Sequence, residues 1–175
     1  MGTAGKVLAI IGAAVGLLSV LLGLAIPALF CWFRFDVSGA VTGGLYLTGF
    51  GTVMDEGVIA GYYSFDMVML VLIGGILVLV GAGLCITGAI TEMKLFGIIG
   101  GIAMIVGPLL LVAEFMTVTS DFTEYVDLWA ETFDKMTFFG SGSPGPGVTF
   151  IWGPWIGYFM AYFGATLGLI GGALV

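Results

Sequence analysis

Residues 67–116 read MVMLVLIGGILVLVGAGLCITGAITEMKLFGIIGGIAMIVGPLLLVAEFM. Two apolar runs, 67–90 and 95–116, are hinged on one polar turn, Thr91-Glu92-Met93-Lys94. At about 1.5 Å per residue, either run is long enough as a helix to cross a hydrocarbon core of roughly 30 Å. A helix also satisfies its own peptide groups where no water is present. The stretch therefore predicts a transmembrane helical hairpin.

Two further runs flank the hairpin. The first, 7–33, is interrupted by Ser19 alone and carries Pro27 near its far end. It exceeds the roughly 7 to 15 apolar residues of a signal peptide and is read as a retained helix. The last, 150–175, places Trp152, Trp155, Tyr158 and Tyr162 in its first half, as an aromatic belt at one membrane surface would. The expected fold is a mainly α membrane protein. It is a single tetraspan domain over 1–175, a four-transmembrane-helix bundle with outer loops at 34–66 and 117–149. With 60% apolar and 9% charged residues in 175, the chain has no room for a large soluble catalytic domain. It has no His, Asn or Gln, which removes imidazole chemistry and N-glycosylation. Avoidance of thermolabile amides also fits a thermophilic prokaryotic source.

Cations tie across the membrane, Lys6 and Lys94 on one side and Arg34 and Lys135 on the other, and loop length breaks the tie. Lys6 and Lys94 lie beside spans in short segments, the positions that count most under the positive-inside rule. Both termini and the 91–94 turn are therefore expected in the cytoplasm of a multi-pass protein of the cell membrane. Ten of the eleven acids, all but Glu92, then fall on the outer side. A net charge of −7 with four cations argues against nucleic acid as a partner.

The outer loops look ordered. Residues 30–37 alternate with period two, which suits a half-buried strand. Residues 44–54 and 58–65 complete an expected antiparallel meander, turning at Asp55-Glu56-Gly57. In the second loop, Asp121, Glu124, Asp127, Glu131 and Asp134 recur every three or four residues, the pattern of an amphipathic acidic helix. That helix either restarts at Asp121 or runs on from the third span. The Gly/Ser/Pro stretch 140–147 reads as a flexible tip between short strands at 137–139 and 148–150.

Small residues recur every fourth position in the spans: Gly12 and Gly16, Gly97 and Gly101, then Gly153, Gly157, Gly164, Gly168 and Gly172. Such stripes let helices approach closely, either within one bundle or between copies. Glu114 is the one carboxylate inside a run, and two readings stand for it. One is an interfacial group bonded to the outer loops; the other is an ion or proton site. Arg34 is expected to pair with Asp36 on the same strand face. The acidic helix is either a solvated face or a surface for calcium or a basic partner. Cys31 and Cys85 form no metal motif and read as packing residues. No cofactor and no catalytic constellation is expected.

Trp32 directly after the first span, followed by Gly44-Leu45-Tyr46, is similar to the Trp and Gly-Leu-Trp of the claudin-like tetraspan group. That group includes claudins, peripheral myelin proteins and calcium-channel gamma subunits, and the resemblance covers the topology of the whole chain. Tyr46 stands where the group has Trp, and the loop cysteines of the group are missing. The resemblance implies loops that pair with neighbouring molecules or modulate a partner channel. Together these readings make the chain a non-enzymatic interaction protein, a homo-oligomer or a subunit of a larger membrane assembly. Its expected contacts are the outer aromatics Trp32, Tyr46, Phe50, Tyr62 and Tyr63, with Arg34 and the acidic helix. A small ion- or proton-translocating subunit using Glu114 is the competing expectation.

Overall fold

Among the described residues, four helices are long and apolar enough to cross a membrane: α1 (Thr3–Ala25), α3 (Met69–Thr91), the Lys94–Phe115 part of α4 (Lys94–Tyr125), and α5 (Ile156–Leu174). A single turn, α2 (Pro27–Phe30), follows α1. The computed structural model describes residues 3–57, 68–125 and 138–175, with backbone only at 116–125 and 144–145. In the bundle α1 packs on α5 and α3, and α4 packs on α3 and α5.

Helix ends follow local chemistry. Pro27 has no N–H to continue α1, so the chain breaks at Ile26 and Pro27 opens α2 from its first position. The first run thus ends sooner than residue 33, and its last residues become a turn and a strand. The hairpin closes at Glu92, whose left-handed conformation (φ 60°) caps α3 by donating its N–H to the Gly88 carbonyl. Helix α4 continues through Pro108 and past the apolar stretch to Tyr125. Of the two readings for the acidic segment, continuation holds as far as Tyr125, with Asp121 and Glu124 on its backbone. Asp127, Glu131 and Asp134 lie outside the described residues.

The helix of the fourth apolar run starts at Ile156, six residues later than expected. Gly153-Pro154 favours extended backbone ahead of the proline, so residues 148–154 become a strand. Gly153 is accordingly no helix-packing residue: it lies in that strand at φ 156°, a conformation suited to glycine. The free N–H groups at the start of α5 are taken up by the chain after α1. Trp155 N donates to the Trp32 carbonyl at 3.0 Å and Gly157 N to the Cys31 carbonyl at 3.2 Å.

The strands form one antiparallel sheet. β1 (Phe33–Gly39), β2 (Gly43–Leu47), β3 (Val53–Gly57), β4 (Gly140–Gly145) and β5 (Val148–Pro154) are ordered β3-β2-β1-β5-β4. Four expectations for these loops change. Residues 44–54 are two strands, because the Thr48 and Thr52 hydroxyls meet at 2.6 Å and Thr48 N donates to the Thr52 carbonyl, closing a turn between them. Asp55-Glu56-Gly57 lies within β3 rather than in a turn. The Gly/Ser/Pro stretch forms strand β4, and 137–139 is not a strand over its described residues, Phe138 and Phe139. Residues 58–65, with Tyr62 and Tyr63, lie outside the described residues.

The start of α1, the end of α5 and the α3–α4 turn share one end of the bundle. Gly5 packs against Leu174, Gly97 against Gly172, and Lys6 Nζ lies 2.5 Å from Glu92 Oε1. The sheet covers the opposite end. Its inner face carries Phe33, Val37, Leu45, Leu47, Phe150 and Trp152, all buried. Phe33, Phe115, Phe138 and Tyr158 continue that core into α4 and α5, with neighbouring ring centroids 5.3 to 6.1 Å apart.

Candidate functional site

Strand β1 follows a single turn from α1, so its register on β2 and β5 decides what reaches the outer face of the sheet. Arg34 lies opposite Tyr46 on one side and Gly153 on the other, and Asp36 lies opposite Gly44 and Ile151. Trp155, the residue before α5, comes from the end of the same β5. Three segments distant in sequence thereby meet around the sole arginine.

The guanidinium is held from several directions. Nη1 donates to the Ala28 carbonyl at 2.8 Å, and Nε lies 2.5 Å from Asp36 Oδ2. Cζ sits 4.7 Å from the centre of the Trp155 ring and 5.4 Å from that of Tyr46, within cation–π range. The expected Arg34–Asp36 pair is present. Burial works against the cation, but the hydrogen bond and charge of Asp36, with Tyr46 beside it, overcome that and raise its pKa above the ordinary value. Arg34 is therefore a fixed charge with a matched counter-ion.

Tyr46 is buried, contrary to its expected exposure. Its ring lies over Gly44, where a side chain would collide with the phenol, and its hydroxyl donates to Glu56 Oε1. Burial, and then the Glu56 hydrogen bond, push the phenol up to about 12. Phe50 also turns inward and packs against the core beneath the sheet.

Trp32 is completely buried. Its Nε1 donates to the Ser19 carbonyl at 3.3 Å, its backbone N to Leu47 at 2.8 Å, and Gly49 presses on its ring. It anchors the sheet in the bundle and offers no outer contact. Glu114 is half-buried and lies beside the aromatic core residue Phe115, one position inside the apolar limit of α4. Cys31 and Cys85 are both free and buried.

Sequence reading missed the hollow beside Arg34. Phe139, Ile151, Trp155 and Phe159 line it together with Arg34 and Asp36, around a volume of about 200 Å³. Phe139 is 67% exposed and Phe159 58%. Trp155 Nε1 is sealed from solvent and has no acceptor among the described residues, a cost of about 1–3 kcal/mol. Only the pairing of β5 with β1 and β4 brings these positions together, and no local motif marks it. Among the described residues no group of three or more His, Cys, Asp or Glu side chains is placed to hold a metal ion. The chain matches no family model and no curated protein.

Proposed function

We propose that the chain is a non-enzymatic membrane protein whose four helices cross the bilayer and whose sheet, with the acidic extension of α4, meets other proteins outside the cell. The observation that carries the membrane reading is an inverted pattern of burial. Ala9, Ala13, Ala82, Ala161 and Ala165 are fully buried, while Val80, Ile90, Leu95 and Phe163 are at least half exposed. Water would drive that apolar surface to aggregate, whereas lipid solvates it and leaves small side chains to bring backbones together. An even number of crossings returns both termini to one side. Lys6 and Lys94 at that end support a cytoplasmic placement.

Assembly through the sheet is supported by what the glycine stripes already do. Gly12 and Gly16 face Gly164 and Gly168 across the α1–α5 contact, or the side chains packed beside it, and Gly172 faces Gly97. These faces are consumed inside one chain, so copies would meet elsewhere. Strand β4 pairs with β5 on one side only among the described residues, leaving an edge at the end farthest from the termini. The claudin-like resemblance proposes the same use: sheets that contact a neighbouring copy or an envelope partner. A photo-crosslinking residue at Ser141, on β4, should yield dimers or a larger adduct in native membranes. One at Gly83, exposed in mid-span, should yield lipid adducts only. Monomers alone from Ser141 would contradict the assembly reading.

A further inference from the structure

The β4 edge of the sheet presents a defined pair of backbone groups. Trp155 N donates to the Trp32 carbonyl at 3.0 Å and Ala40 N to the Gly147 carbonyl at 2.7 Å, and these pairs continue the β1–β5 register by one residue at either end. Bonded pairs alternate along an antiparallel ladder, so within β5 it is Thr149, Ile151 and Gly153 that exchange hydrogen bonds with β1. Phe150 and Trp152 therefore turn their peptide groups to β4, opposite Gly142 and Gly140. Ser141, between those glycines, directs its N–H and C=O away from β5. Among the described residues no strand lies beyond β4.

Little on this edge keeps another strand off. Natural edges are blunted by Lys, by proline or by a bulge. Here Ser141 is exposed between two glycines, Pro144 and the register shift lie beyond Gly142, and no charged residue follows Lys135 in the sequence. The β4–β5 hairpin is neutral in a chain of net charge −7. A second copy carries the same charge and meets least repulsion there, whereas a basic partner finds no acid on the hairpin.

Symmetry selects the same occupant. Two antiparallel strands are related by a two-fold axis normal to their sheet, and a residue offering both N–H and C=O can pair with itself across that axis. The inner face of the sheet rests on the helix ends, with Phe33, Val37, Phe150 and Trp152 in one core with Leu111 and Tyr158, so the axis runs along the bundle. Copies joined at β4 stand side by side with the same end up, as two copies in one membrane do.

We propose that β4 pairs with β4 of a second copy, Ser141 opposite Ser141, joining two five-stranded sheets into one of ten strands. The inference rests on the assembly reading and names its partner as this same chain.

The test uses the full chain in phosphatidylcholine liposomes, dye-labelled through Met93→Cys and counted by single-molecule photobleaching. The wild-type sheet should give two-step spots. Ser141→Ala removes only a side chain and should leave them unchanged. Ser141→Pro removes the outward N–H without touching a donor to β5, and should weaken dimerisation about tenfold. Unlabelled Ser141→Cys decides the matter alone if the proline variant fails to fold. Its two Cα atoms would stand about 5.5 Å apart, inside disulfide reach, so it should oxidise to a dimer much faster than Thr42→Cys. Dimers undiminished in Ser141→Pro, spots of three or more steps, or equal oxidation of the two cysteine variants would each overturn the proposal. So would an adduct at Ser141 with a different protein in native membranes, and that result leaves the assembly reading standing. Monomers alone in native membranes would remove the assembly reading itself.

Discussion

Tyr46 lies flat across the sheet because residue 44, two places earlier on the same face, has no side chain. Period-two alternation places Tyr46 on the outer face, and that much is legible from the sequence. Its burial is not, since it depends on the gap at Gly44 and on Arg34 stacking from the neighbouring strand. The Arg34–Asp36 pair was legible for the opposite reason: both partners sit on one strand, two residues apart. A pH dependence follows from the raised phenol. Unfolded, Tyr46 ionises near its ordinary value of about 10; folded, it holds its proton up to about 12. Its contribution to stability is therefore complete below about pH 10 and is lost as pH rises through about 12. Thermal unfolding in detergent should show an alkaline loss over that window, smaller in Tyr46→Phe. An identical alkaline profile in the variant would mean that Tyr46 takes no part.

At the scale of elements, the apolar runs mark the four long helices, because a segment able to cross lipid must be long, continuous and apolar. Their ends are set by Pro27, Pro154 and the polar turn, of which Pro154 is easily mistaken for part of the last span. Strand β4 was illegible: Gly140-Ser141-Gly142-Ser143-Pro144-Gly145 has poor strand propensity and becomes a strand through pairing with β5. The glycine stripes were legible as packing faces, but sequence alone left open whether they pack inside or between chains. A Cβ at Gly164 would lie 2.6 Å from Gly16 N and 2.7 Å from the Gly12 carbonyl oxygen, so α1 and α5 would have to separate. At Gly83 a Cβ meets nothing within 4 Å. Gly164→Ala should therefore cost stability, by about 1–3 kcal/mol for an overpacked contact. Gly83→Ala should cost none. Reversible unfolding in mixed micelles compares the two, and equal effects would show that α1 and α5 do not meet through glycine.

At the scale of the whole molecule, the arrangement is polar along its axis. One end holds the start of α1, the end of α5, Lys6, Glu92 and Lys94; the other holds the sheet, Arg34 and three acids of β1 and β3. Lys6 ties α1 to the α3–α4 turn, and its hydrogen bond and charge hold the Glu92 carboxyl below its ordinary range. The proposed function puts the two ends in different compartments, and the sheet contacts proposed above depend on that placement. Cys31 and Cys85 are buried, so membrane-impermeant maleimide on intact cells reports on introduced cysteines over a low background. Cysteines placed at Thr42 and Ser143 should react from outside, and one at Met93 should react only after the cells are opened. Labelling of Met93→Cys on intact cells, with Thr42→Cys and Ser143→Cys silent, would contradict the orientation and the functional reading built on it.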